Sequence, residues 1–499
     1  MTQTTTGHEA ADDICRDCGY EPELKRSLNG FQMFAIAFAS MSVVMGIFAT
    51  YDDVLGSSGP VGIWLFPVIG VGQLLVALVY AQFAARIPLS GGTYAWASRL
   101  ANPRVGWAFG WMAFLGAATA PVAIDNALAT QCLMPLFGME ANETTGRVIT
   151  VVLLVVQAAL AIAATRIVGW VNSLSVAVEL GILFVLGIAF VVAVVVSGDG
   201  HTENLFSRGV AEGNPTYFAI GGGLMASALM GLNTLVGFET AANMSEEAED
   251  AVRTVPRAII GSVLASAGLG FLFLIVLTIA VKDVPAASAS ESPVAEIMRQ
   301  QFGPGLERPF LAVIAVAFFG AALVAVASTS RYIFAMARDG RFPAHQLMQR
   351  VNRRTHTPIP ATLLVLSIGV VLMFVLPGAA LIQLIATGTI IGISLYAMTV
   401  ILYLAVRRKF VHDNGGFDLG RFDRPVAVAA LVWVVLSLFA VLVSSTTFAS
   451  LLIVVGLLVA GLAYFLYMWK FNREVLEHEP GDPDMFVDQA PSASRPSAV

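Results

Sequence analysis

Long apolar runs recur along this chain, separated by short polar stretches. They lie near 30–56, 61–86, 105–136, 147–165, 168–196, 215–243, 257–281, 309–337, 359–376, 379–405, 425–444 and 448–469. Most have room for the ~20 apolar residues that a membrane-spanning helix needs. The pattern therefore predicts an all-α polytopic membrane protein with twelve transmembrane helices. Spans nine and ten are separated only by a turn at Pro377-Gly378. The segment 288–303, SASESPVAEIMRQQFG, mixes polar and apolar positions and predicts a short surface helix. Residues 1–29 and 471–499 are polar and predict tails, the second rich in Pro, Ser and Asp and expected to be disordered. The first has no basic stretch running into a short apolar core, so no cleavable signal is expected.

Composition agrees. Hydrophobic residues make up 57% of the 499 and charged residues 12%, where a soluble domain carries about 25% charged residues. The net charge of −6 is uninformative about partners, but the placement of Lys and Arg orients the chain. Only Arg147, Arg208, Lys282, Arg299 and Arg308 of the 28 basic residues fall on one side of the predicted bilayer. The positive-inside bias places both termini in the cytoplasm and the protein in the cytoplasmic membrane.

Acids inside spans are costly and point to function. Asp52 and Asp53 end span one, Asp125 lies in span three, Glu179 in span five and Glu239 in span six, while no span carries a central Lys or Arg. An acid without a basic partner takes a proton, faces water or meets an external cation. Each option fits a route for protons, amines or metal cations; each acid also has a plain reading as a residue facing a wet vestibule or capping a broken helix. MGIFAT at 45–50 in span one is echoed by VGFET at 236–240 in span six. Paired interruptions in corresponding spans of two halves point to a transporter site, although glycines are also common where helices pack closely.

Other chemistries find no motif. The six histidines, His8, His201, His345, His356, His412 and His478, fall in loops or tails, and no HExxH occurs. Cys15 and Cys18 form one CxxC without the second pair that a zinc site needs, and Cys132 lies in an apolar run. No phosphate-binding GxxxxGK and no GxSxG elbow is present. Enzyme, metal, cofactor and nucleic-acid roles have no support in the residues. A channel should show polar pore-lining periodicity and a sensor a signalling domain, and neither is seen.

Several loop motifs are distinctive as a set. They are GYEPELKRSL (19–28), P-x-SGG-x-Y-x-W (88–96), GFE followed by acids and R-x-VPRAI (253–259), and SRYIFAMARDGRFP (330–343). Together they resemble the amino acid–polyamine–organocation (APC) transporters, most of all the amino acid/choline branch with its amine and γ-aminobutyrate permeases. The resemblance covers about 19–470. It implies a five-plus-five inverted repeat, 30–200 and 214–405, with two further helices at 424–470. Helices one and six would be broken near the midplane, exposing backbone amides and carbonyls to substrate.

Carried onto this chain, the first break falls at Val44, Met45, Gly46 and Ile47, with Val44 replacing the first glycine of the family's Gly-x-Gly. The second falls at Asn233, Thr234, Leu235 and Gly237, where Asn233 replaces an aromatic found in several relatives. Glu239 matches a family acid just past that break. Glu179 stands where some relatives carry a lysine, next to the sodium site of sodium-coupled cousins. Glu179, Glu239 and Asp125 are the expected proton or cation-coupling acids, and Ser328 and Thr329 the candidate cation ligands. The expected function is secondary transport of an amino acid or small amine, coupled to protons, with sodium coupling and substrate exchange as alternatives.

Overall fold

The computed structural model describes residues 26–477 except 27, 90, 141, 164, 291, 353–354, 356, 377–379, 410–415 and 444–447. The Cys15–Cys18 pair, both distal tails and the Pro377-Gly378 turn lie outside the described residues. Among the described residues the regular elements are all helices, with no strand apart from one isolated bridge between Leu28 and Ala248.

The helices in chain order are α1 (Gly30–Met41), α2 (Val43–Ser57), α3 (Leu65–Arg86), α4 (Thr93–Leu100), α5 (Pro103–Ala127), α6 (Glu143–Ala163) and α7 (Thr165–Ser197). Next come three short helices, α8 (Gly223–Ala226), α9 (Ala228–Thr234) and α10 (Thr240–Asn243), then α11 (Ala251–Ile279). The remainder are α12 (Val284–Ala289), α13 (Pro293–Phe302), α14 (Pro304–Arg338), α15 (His345–Met348), α16 (Ile359–Val375), α17 (Ala380–Val406), α18 (Asp423–Val443) and α19 (Phe448–Phe471). Helix α5 continues through a π-helical turn, Leu128–Leu133, to Leu136.

Among the described residues, ten segments are long and apolar enough to cross a bilayer, counting α1 and α2 as one. The two other predicted spans differ in form. Helix α16 is apolar but only 17 residues long, and 215–243 is not one helix but the short pieces α8 to α10. Within the predicted surface helix 288–303, residues 293–302 form α13, with Val294, Ile297 and Met298 buried, and 288–289 end α12.

Local chemistry explains the start of the first span. Asn29 accepts from the Gln32 amide at 3.0 Å, and the Gln32 side chain accepts from the Asn29 amide at 2.9 Å. This capping box satisfies two donors that a helix start otherwise leaves unpaired. The helix then stops at Ser42, whose φ of 40° is left-handed, and α2 begins at Val43. In packing, α11 lies along α3 and α1, and α14 lies along α7 and α5. Helix α17 lies against α5, closing a bundle around the two interruptions. Before the first span, Leu28 pairs with the acidic stretch after α10: its amide donates to the Glu247 carbonyl at 2.9 Å and its carbonyl accepts from Glu249 at 2.8 Å. Arg26 donates to the carbonyls of Ser245 and Ala248 at 3.3 Å.

Candidate functional site

The two interruptions meet. A Cβ on Gly237 (φ 112°) would sit 2.6 Å from the Ser40 carbonyl oxygen, so only glycine lets the backbones approach this closely. A Cβ on Gly46 would sit 2.2 Å from Thr234 Oγ1, joining α2 to α9 in the same way. Ser42 and Gly237 thus bend two chain segments around one point.

A cavity of about 220 Å³ opens beside that point. Ser40, Met41, Ser42 and Met45 line it from the first span; Asn233, Val236, Gly237 and Glu239 line it from the second interruption. Helices α5, α14 and α17 supply most of the remaining wall, much of it alanine, glycine and aliphatic side chains. Its lining extends to Thr93 and Asn243 at one end of the bundle, and to Ala123, Ile124 and Leu384 farther along α5 and α17. Among the described residues, Glu239 is the only acidic or basic side chain lining it. The Tyr332 hydroxyl, on a residue 6% exposed, and the Ser328 hydroxyl also reach this wall, and neither has a hydrogen-bond partner among the described residues.

Glu239 is held in place. The Tyr396 hydroxyl donates to Oε2 at 2.6 Å, and the Gly237 amide donates to the same oxygen at 3.2 Å. The Gly237 amide also reaches the Tyr396 oxygen at 3.2 Å. Tyr396 stacks on Phe238 with centroids 5.0 Å apart, and Tyr80 packs edge-on against both. An aromatic cluster therefore fixes one carboxylate at the end of the second interruption. Asn233 Oδ1 accepts from Thr389 at 3.3 Å, which orients the amide from α17.

The residues expected from sequence separate into two groups. Met45, Asn233, Gly237, Glu239, Ser328 and Thr329 line the cavity. Val44, Ile47, Thr234 and Leu235 are buried without lining it, and Gly46 contributes close packing. The reason is the position of the turn: it falls at Ser42, so Val44 to Ile47 form the first turn of α2 rather than an open segment. The Thr329 hydroxyl lies 2.7 Å from both the Ala117 and Ala325 carbonyls, which share its one donor hydrogen between α5 and α14.

Glu179 and Asp125 lie outside the cavity wall. Glu179, 2% exposed, accepts from the Val44 amide at 3.4 Å. This amide is one of the donors left free at the start of α2, and a carboxylate there also meets the positive end of the helix dipole. Asp125, fully buried, accepts from Gln157 Nε2 at 2.7 Å, joining α5 to α6. Asp52 and Asp53 are partly buried at the far end of α2 and do not line the cavity. Sequence reasoning missed Tyr396, Tyr332 and the Ser40–Ser42 wall. The positive φ at Ser42 carries no glycine to announce it, and Tyr396 and Glu239 are 157 positions apart.

A helical bundle with ten long apolar segments among the described residues, and two helix interruptions around a small cavity, is the architecture of a multi-pass membrane protein. The chain belongs to the amino acid permease family, whose model matches residues 28–463. It is 29% identical to the amino-acid permease BAT1 of Arabidopsis thaliana, over 92% of this chain and 93% of that protein. It is 25% identical to the thiamine transporter thi9 of Schizosaccharomyces pombe, over 88% and 81%. It is 26% identical to the GABA-specific permease of Saccharomyces cerevisiae, over 70% and 64%.

Proposed function

We propose that the protein is a secondary transporter that imports an amino acid or small amine across the cytoplasmic membrane by alternating access, coupled to protons. The observation that carries this is the cavity at the meeting of two helix interruptions with one carboxyl group, Glu239, as the only acidic or basic group among the described residues that line it. Such a wall favours a solute with a cationic nitrogen. Relatives named for amino acids, GABA and thiamine act on solutes that share one. Ligand pockets for drug-sized molecules run to ~300–1,000 Å³, so a cavity of about 220 Å³ suits a solute of few heavy atoms.

In this reading the two buried acids divide the work. Glu239 contacts the ammonium of the substrate. Glu179 acts on the hinge: ionised, it holds the first amides of α2 against α7, and protonation frees them to move. Asp125 ties α5 to α6 in the scaffold. Residues 30–200 and 214–405 form two inverted repeats, 424–470 adds two helices, and both tails are cytoplasmic. A sodium-coupled version would draw on Ser328 and Thr329.

Reconstitution in proteoliposomes tests the coupling. With substrate absent inside, an inward proton gradient should drive accumulation of the amino acid or amine. Uptake that ignores the gradient and requires internal substrate would instead establish exchange, and ohmic single-channel currents would end the carrier reading.

A further inference from the structure

Residues 472–477, just beyond α19, stay against the bundle. Asn472 donates to the Met468 carbonyl at 2.7 Å, and Arg473–Leu476 forms a 3-10 turn. Leu476 is only 1% exposed. Glu477 accepts from Arg104 at 2.8 Å and from Arg473 at 2.7 Å. The Arg104 guanidinium lies 4.4 Å from the centroid of Trp469. The Arg473 hydrogen bond, then Arg104, hold the Glu477 carboxyl below the usual carboxylate range, so it is ionised and paired at neutral pH.

The turn rests on Arg341, which is 1% exposed although its side chain is charged. Arg341 Nε donates to the Val475 carbonyl at 3.3 Å, while Nη1 donates to Ser98 Oγ at 2.8 Å and Tyr94 Oη at 3.1 Å. Tyr94 in turn donates to Asp339. The Arg341 carbonyl accepts from the Trp107 indole at 3.1 Å, fixing the arginine from α5. Val475 also lies against Gly340, 3.5 Å from where a Cβ there would sit. One guanidinium therefore spans the segment after the last helix and α4, whose first residue, Thr93, lines the cavity.

We propose that residues 472–477 are a latch at the Thr93 end of the cavity, with Arg341 as the positioning residue that transmits their hold to α4. The burial of Leu476 and the pairing of Glu477 seat the turn. Arg341 then shares its donors between the turn and α4, and a buried guanidinium that loses an acceptor must find another or move. Seating the turn thus stabilises the conformation in which Thr93 lines the cavity. Releasing it speeds departure from that conformation. The effect on rate rests on the transport reading above; the effect on α4 does not.

The test compares the full chain with Δ472–499, Δ478–499 and Leu476→Ser. Hydrogen–deuterium exchange should show the amides of 93–101 exchanging several-fold faster in Δ472–499 and Leu476→Ser, and at the full-chain rate in Δ478–499. In uptake assays the first two should raise the maximal rate roughly threefold, as expected when a population held in one conformation is released. Arg341→Lys should lose protection at 93–101 even with the tail present, because an ammonium cannot reach both partners as the guanidinium fork does. Should Δ472–499 fail to fold, Leu476→Ser decides alone. Exchange at 93–101 that matches the full chain in a folded Leu476→Ser protein overturns the latch. Faster exchange with an unchanged or lower rate leaves α4 docking intact but overturns its role in transport.

Discussion

At the scale of single residues, the site turns on one carboxylate and the hydroxyl that holds it. Tyr396 donates to Glu239 at 2.6 Å, and hydrogen bonds to charged groups are worth about 1.5–3 kcal/mol. Tyr396→Phe keeps the ring stacked on Phe238 but removes that donor. The expected outcome is a rise of about tenfold or more in the half-saturation constant for uptake, with little change in melting temperature. An equal loss in Tyr396→Phe and Tyr396→Ala would show that the ring, not the hydroxyl, carries the effect. Glu239 was legible in sequence because an acid within a glycine-punctuated apolar run has no ordinary reason to be there. Tyr396 was not, because tyrosines in apolar spans are common and nothing local marks the one that reaches across to another helix.

At the scale of elements, the first span shows where resemblance and local geometry part. The family motif places its opening at Val44 to Ile47, whereas the chain turns at Ser42 and uses those four residues to start α2. Two adjacent β-branched residues, Val43 and Val44, follow the turn, and the free amides they leave are met in part by Glu179 from α7. Glu179→Gln preserves an acceptor for the Val44 amide but cannot titrate. Under the hinge reading, wild-type uptake rises as the external pH falls through the titration of Glu179, because protonation releases α2. In Glu179→Gln the pH profile of uptake becomes flat while the protein stays folded. A variant with the wild-type profile would remove Glu179 from coupling. Glu179→Ala, which loses the cap as well, should cost about 1 kcal/mol of stability. The second interruption was easier to place, since Gly237 and Glu239 mark it directly. The further separation of α8 from α9 at Ser227 was not legible, because the run before Asn233 reads as apolar.

At the scale of the whole molecule, hydropathy made the helical membrane class plain, and ten of the long apolar helices follow the sequence reading closely. What the linear pattern could not supply was which helices meet. The contact between Gly46 and Thr234 joins residues from two separate spans, and so does the bond between Asp125 and Gln157. Such pairings come from the folded topology, not from any period along the chain.

That last bond has a consequence for biogenesis. Asp125 is synthesised before its partner Gln157, and an isolated aspartate in a spanning helix carries an insertion cost, about 2.5–3.5 kcal/mol at a helix centre and less toward an end. The α5 helix alone should therefore enter a bilayer poorly and wait for α6, the two inserting as a hairpin. In a glycosylation-mapping assay, α5 presented singly should insert incompletely, and adding α6 should restore insertion. Changing Gln157 to Leu in that hairpin should undo part of the gain, whereas equal insertion of the single helix and the hairpin would show that Asp125 places no demand on the order of assembly.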